Sequence, residues 1–315
     1  MKFGVIGYGS IGQRHVSNLI TLGHEDIVLL RKIGGGNDYD LKEFTEMETF
    51  LDAQPDAIII ANPTSLHAEY LNQILPLNID VLVEKPLVAT LEEWQLLQKQ
   101  LVNYKGIGMT AYNMRFHPCV QETKKILKSG NLGKIYSGRF FVGQYLPDWR
   151  PGTDYSKSCS ASRKLGGGVL FDLIHEIDLA CYLVGEPLGR VASQVDNISD
   201  LQIDTEDLAE LLYRTENKSF VSIHLDYLSR GYQRYIEVVG ERGSLQVNLF
   251  SNKVTIISES GEAEKKFFPE FSRNDMYFNM LSGFISCLEK KNAPPISLQE
   301  GLISNQIAID IRNEF

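Results

Sequence analysis

The sequence predicts an α/β chain of two domains. The first is a doubly wound parallel sheet, and the second is an α+β domain with an open, mostly antiparallel sheet. Three observations carry this prediction. Short apolar runs alternate with helix-period segments through the first third of the chain, the rhythm of right-handed βαβ crossovers. A glycine-rich turn joins the first apolar run to the first helical segment. Past about Pro118 the strands cluster without helices between them, which argues antiparallel pairing. With 315 residues the chain exceeds a typical single core. The expected division is 1–118 and 119–315.

The elements follow in order. Phe3-Gly4-Val5-Ile6 reads as the first strand. Val16, Leu19 and Ile20 share one face of the helix that follows, and Gly23 stands where a helix stops. Residues 26–30, 57–61, 81–83 and 106–110 read as further parallel strands. Residues 41–51, 66–75 and 91–101 have helical spacing. In the second domain a helix over 120–127 leads to a strand over 135–142. A second helix follows Gly166-Gly167-Gly168. Segments 191–195, 208–214, 220–227, 235–239, 244–249 and 254–257 are β-rich, and 276–288 and 298–311 return to helix.

Composition narrows the function. The hydrophobic fraction of 43% and charged fraction of 23% are those of a globular chain. The net charge is −9, and no stripe of Lys and Arg suggests a nucleic-acid partner. The longest aliphatic run, 57–61, is far short of a membrane span. The first strand begins almost at the initiator Met, so no signal peptide is expected. Cys119, Cys159, Cys181 and Cys287 are scattered without a CxxC. They read as reduced thiols of a cytoplasmic protein, with no metal site expected.

Five features carry chemistry. Gly7-Tyr8-Gly9-Ser10-Ile11-Gly12 is a GxGxxG between a strand and a helix. Free N–H groups at the helix start, with no Cβ in the way, suit a dinucleotide pyrophosphate. The second strand ends in Arg31-Lys32, 19 residues after Gly12. An acid there binds the ribose hydroxyls of NAD, and a base accommodates the phosphate of NADP. NADP is therefore the favoured cofactor and NAD the alternative; a solvated basic strand end would look the same. Asn62-Pro63-Thr64-Ser65-Leu66-His67 follows the buried strand. This turn is expected beside the nicotinamide half of the cofactor, with His67 either there or on the surface. Glu84-Lys85-Pro86 closes the next strand and aims Lys85 into the ligand crevice, its direction restricted by the proline. In the second domain, Asp172, His175, Asp178 and Tyr182 gather on one flank if residues 169–184 form one helix. Carboxylates at i−3 and i+3 would orient His175 for proton transfer. A salt-bridged helix flank is the plainer alternative.

In this order and spacing the motifs resemble the Gfo/Idh/MocA family, which includes glucose–fructose oxidoreductase and inositol dehydrogenase. Asn113-Met114-Arg115-Phe116 is similar to the family's N-x-R-F segment, and Gly240-Glu241-Arg242-Gly243-Ser244 to its late glycine turn. Many members carry Asp four residues before the histidine, whereas Asp172 precedes His175 by three. The resemblance implies an NAD(P)-dependent oxidoreductase acting on a secondary alcohol or ketone of a sugar, nucleotide sugar or cyclitol. Lys85 and His175 would be catalytic, with Asp172 or Asp178 orienting His175. Gly7, Gly9, Ser10, Ile11, Gly12, Arg31, Lys32, Asn62, Pro63, His67, Glu84, Lys85 and Arg115 would contact the cofactor. Arg150, Asp154, Tyr155, Asp172 and His175 would line a polyol site in a cleft between the domains. Residues 146–155 and Ser160-Ala161-Ser162 are similar to a bacterial subgroup associated with surface-sugar metabolism. A homodimer or homotetramer is expected, because one sheet face needs a cover. A non-catalytic NAD(P) sensor and a reductase of a non-sugar carbonyl or imine remain the alternatives.

Overall fold

The computed structural model describes residues 1–315. They form two compact units, 1–113 with 276–305, and 114–275 with 306–315. The first unit therefore ends five residues before the expected boundary at 118, and a late segment of the chain returns to it.

The first unit is a parallel sheet of β1 (Phe3–Ile6), β2 (Ile27–Leu30), β3 (Lys42–Phe44), β4 (Ala57–Ile60), β5 (Asp80–Val83) and β6 (Gly108–Thr110). The strand order is β3-β2-β1-β4-β5-β6. Helices α1 (Ser10–Thr21), α2 (Met47–Asp52), α3 (His67–Ile74) and α4 (Leu91–Leu101) make the crossovers. Every residue of β1, β2 and β4 is buried, which is why those runs are apolar without alternation. Order reverses at β1 and β4, and ligands of such sheets lie beyond the strand ends at that point.

The expected helix over 41–51 is corrected. Leu41, Phe44, Met47 and Leu51 have helical spacing, but residues 42–44 form β3 instead. The strand pairs Leu30 with Phe44, and Arg31 N–H bonds Phe44 O at 2.9 Å. The free edge of β2 supplies a ladder that local periodicity cannot reveal. At the other edge, Met109 bridges Ser297 and Thr110 N–H bonds Ile296 O at 3.0 Å. That contact blunts β6 as a pairing edge.

The second unit holds α5 (Pro118–Ser129), β7 (Ile135–Gly143), α6 (Val169–Asp172), α7 (His175–Leu183) and β8 (Ala192–Asp196). Six more strands follow: β9 (Leu208–Arg214), β10 (Phe220–Asp226), β11 (Gln233–Gly240), β12 (Gly243–Asn248), β13 (Lys253–Ser258) and β14 (Ala263–Phe267). The order is β14-β13-β12-β11-β7-β10-β9-β8. Only β7 and β10 pair in parallel. The lysine-rich β14 escaped sequence analysis because a charged edge strand lacks an apolar face. Two long helices close the chain, α8 (Arg273–Lys290) and α9 (Leu298–Glu314).

One face of the eight-stranded sheet packs on α7. Phe140, Val142, Ile223, Leu225, Ile236 and Val238 are buried there. Gly138 is small because Val184 lies against it, 2.9 Å from where a Cβ would be. The opposite face carries Leu212, Phe220 and Val239, each about half exposed. On that face Phe141 stacks between His224 and Tyr235, with ring centroids 4.3 and 4.8 Å away.

The single helix expected after Gly168 is two helices. The chain tightens at Leu173 and Ile174, where Glu176 N–H bonds Leu173 O at 3.2 Å. Residues 175–180 are all buried, Glu176 and Asp178 included, so α7 has no solvated flank. Glu176 is matched by Arg234 of β11, with Nε–Oε1 2.6 Å and Nη2–Oε2 2.9 Å. Burial draws the Arg234 guanidinium down, but Glu176 outweighs it and holds it above the ordinary arginine range. Removing one member of such a pair strands the other charge. Glu176→Ala is expected to cost about 3–5 kcal/mol, and an apolar replacement of both partners clearly less. Urea unfolding followed through Trp149 checks this, and a loss for Glu176→Ala no larger than for the double replacement would contradict it.

Candidate functional site

The glycine turn is built around two close backbone approaches. Gly7 has φ +90°, and a Cβ there would lie 2.7 Å from Asn62 N. A Cβ on Gly12 would lie 2.0 Å from Gly7 O. At Gly9 a Cβ would meet nothing within 4 Å, which leaves that side of the turn open. The first bond of α1 runs from Gln13 N–H to Gly9 O at 2.9 Å. The amides of Ser10, Ile11 and Gly12 therefore precede the helical ladder, at its positive end. This cradle fits a pyrophosphate.

At the end of β2, Arg31 does not stand alone. Its Nη1 donates to Glu43 Oε1 of β3 and to Gly36 O, both at 2.8 Å. An acid is thus present beside the expected ribose position, supplied by the neighbouring strand. Lys32 is exposed.

Three distant side chains clamp the turn that carries Lys85. Glu84 Oε1 lies 2.7 Å from Nε2 of His15, a fully buried residue of α1. His67 Nδ1 lies 3.0 Å from Pro86 O and 3.3 Å from Leu87 O, and Nε2 lies 3.0 Å from Asn62 O. Asn305 of α9 accepts from Val88 N–H at 3.1 Å and donates to Val88 O at 3.0 Å. The Lys85–Pro86 peptide is cis. His67 is not the surface residue that the sequence allowed. It is 1% exposed and ties the 62–67 turn to the Lys85 turn. Burial depresses its pKa, the surrounding carbonyls opposing. Glu84 is likewise held by His15.

In the second unit His175 opens α7 and is buried. Between Asp172 and His175 the chain leaves the helix at residues 173–174. Asp172 Oδ2 accepts from Tyr227 OH at 2.7 Å. Tyr227 is fully buried, and burial, then the Asp172 charge, raises its pKa well above the usual phenol range. Asp178 is paired with Arg115, with Nε–Oδ2 2.8 Å and Nη2–Oδ1 2.6 Å, and Arg115 lies 4.4 Å from the Tyr182 ring centroid. Arg115 is 5% exposed. This buried pairing holds the Arg115 turn on α7. Asp154 caps a short turn, accepting from Ser156 N–H and Oγ–H at 3.1 and 2.6 Å. Tyr155 OH accepts from Gln202 N–H at 3.2 Å. Arg150 is exposed.

Sequence analysis missed Glu43, His15, Asn305 and Tyr227. Glu43 was hidden by the helical misreading of 41–51. Asn305 lies 217 residues from its partner, and no local pattern marks it.

A model described as "Oxidoreductase family, NAD-binding Rossmann fold" matches residues 1–112. The "GFO/IDH/MocA C-terminal domain" matches residues 120–246. The chain is 27% identical to the myo-inositol 2-dehydrogenase of Thermotoga maritima, over 96% of this chain and 92% of that protein. It is 24% identical to the scyllo-inositol 2-dehydrogenase (NAD(+)) of Bacillus subtilis, over 100% of this chain and 94% of that one. A levoglucosan dehydrogenase solved in complex with NADH superposes with TM-score 0.87 at 20% identity, covering 100% of this chain and 96% of that one. At that identity the likeness is one of fold. With residues 1–112 matched by the NAD-binding model and residues 120–246 by the C-terminal model, the chain belongs to the Gfo/Idh/MocA oxidoreductase family.

Proposed function

We propose that the chain is an NAD(P)-dependent dehydrogenase that interconverts a secondary alcohol and a ketone on a sugar or cyclitol. The observation that carries this is the Lys85 turn. A lysine is fixed by His15, His67 and Asn305 at the end of β5, beside the switch point of a dinucleotide-type sheet. Gly7, Gly9, Gly12 and the amides of residues 10–12 would hold the pyrophosphate, with Asn62 and Pro63 on the nicotinamide side. Arg31 and Lys32 favour NADP(H), and Glu43 works against them. The chemistry supplied by a bound nicotinamide is hydride exchange with the carbinol carbon.

The chain's own groups manage the proton and the charge. In oxidation, His175 accepts the hydroxyl proton as general base. In reduction it returns the proton as general acid. The Lys85 ammonium donates a hydrogen bond to the same oxygen and stabilises negative charge as it develops. Asp172, steadied by Tyr227, belongs to the substrate side, as do Arg150, Asp154 and Tyr155. Asp178 acts by seating α7 through Arg115. The four free thiols support a reducing cytoplasmic setting. We assign the half-exposed sheet face to contact with a second copy, giving a dimer or tetramer. The apolar trio Leu212, Phe220 and Val239 supports this.

Lys85→Met and His175→Ala should each lower turnover about 10²–10⁴-fold, the range of lost general acid–base catalysis. The double variant should fall little further, because both groups serve one oxygen. Dinucleotide affinity should barely change in His175→Ala, and Asp172→Asn should cost less than either. Assays with a panel of inositols and sugars decide this, and full turnover in His175→Ala would assign the proton to another group. Gly9→Val, at a position where a Cβ meets nothing in the fold, should abolish dinucleotide binding, read by fluorescence, while the unfolding transition seen through Trp94 stays in place. Unchanged binding would dismiss the cradle. Light scattering should give a dimer or tetramer that Phe220→Glu dissociates. A monomeric parent at micromolar concentration would refute the assembly.

A further inference from the structure

The end of β2 carries an ion pair whose setting is more specific than either charge alone. Glu43 lies opposite Leu29 in the β2–β3 ladder, two residues before Arg31 along β2. Besides Arg31, its Oε1 accepts from Asn37 Nδ2 at 3.0 Å, and Oε2 accepts from Gly35 N–H at 3.1 Å. The Arg31 guanidinium also lies 5.3 Å from the centroid of the Tyr8 ring, inside the glycine turn. The bond from Asn37, with the Gly35 amide and Arg31, keeps the Glu43 carboxyl below its ordinary range, against its burial. The pair is therefore ionised, and it links the loop over 34–37 to the strand end.

A carboxylate offers about four acceptor positions. Arg31, Asn37 and Gly35 fill three, so the one that remains is on Oε2. A ribose 2′-hydroxyl is a donor and matches it. A 2′-phosphate has no such match. It would have to share Arg31 with Glu43 and sit beside the carboxylate. Asp38 adds a second negative charge near Tyr8, where it helps burial raise the phenol pKa.

Building on the dehydrogenase function above, we propose that Glu43 is the residue that sets dinucleotide selectivity, holding Arg31 as its own counter-ion and favouring NAD(H) over NADP(H). Arg31 is then the holder of a carboxylate and becomes a phosphate receptor only when that carboxylate is removed. The basic strand end seen in the sequence is electrically balanced by β3.

The test is a fluorescence titration of full-length protein with NADH and with NADPH. The parent should bind NADH more tightly. Glu43→Gln should shift the affinity ratio towards NADPH by about tenfold, the scale of one charge-assisted contact. Glu43→Ala should shift it in the same direction, and adding Arg31→Met to Glu43→Gln should reverse the shift. A ratio in both Glu43 variants within about twofold of the parent overturns the proposal. So does a parent that already binds NADPH about tenfold more tightly than NADH. If the parent binds neither dinucleotide, the dehydrogenase function itself falls, and this inference with it.

Discussion

The close approach of Gly7 to Asn62 is the constraint from which the rest of the first unit follows. Two adjacent parallel strands, β1 and β4, release their chains at the same level. Those chains must turn away within a space that admits no Cβ at residue 7. This fixes the glycine turn and the 62–67 turn against each other. His67 then begins α3 at a point where its ring reaches back to Asn62 O and across to Pro86 O and Leu87 O. One backbone contact thus sets, through a buried imidazole, the position of a turn on a third strand. Such supporting shells are what hold a reactive group to a narrow geometry.

The second unit solves a different problem. Its helix α7 is buried on every side yet carries two carboxylates. Each is matched by an arginine from elsewhere in the unit, Glu176 by Arg234 and Asp178 by Arg115. Buried pairs of this kind contribute little net stability, but they penalise every arrangement in which they are unmade. They therefore specify where α7 lies on the sheet and where the 113–116 turn lies on α7.

Much of this architecture was legible in the sequence because its signals are local. Continuous apolar strands, a glycine turn between strand and helix, and the change of rhythm near Pro118 all lie within short windows. The errors share a physical origin. Residues 42–44 pair because β2 has a free edge, and nothing within 41–51 records that edge. Residues 169–184 break into two helices under tertiary packing, and their carboxylates find partners far along the chain that no local window records. Arg31 reads in the sequence as a bare basic strand end because its counter-ion Glu43 comes from the segment misread as helix. Lys85 and His175 were visible as motifs, whereas the groups that steady the Lys85 turn from 69, 19 and 217 residues away were not.

The return of residues 276–305 to the first unit bears on how the chain is made. Trp94 Nε1 bonds Leu302 O at 3.0 Å, Ser304 Oγ bonds Tyr112 OH at 2.7 Å, and Asn305 fills both backbone groups of Val88. On the ribosome, the sheet that emerges first lacks these partners until residues 276–305 have been translated. The strand β6, the indole of Trp94 and the loop after Lys85 stay uncovered while the intervening unit is synthesised. The nascent N-terminal sheet is thus incomplete until residues 276–305 reach it, and the loop after Lys85 gains its Asn305 clamp only then.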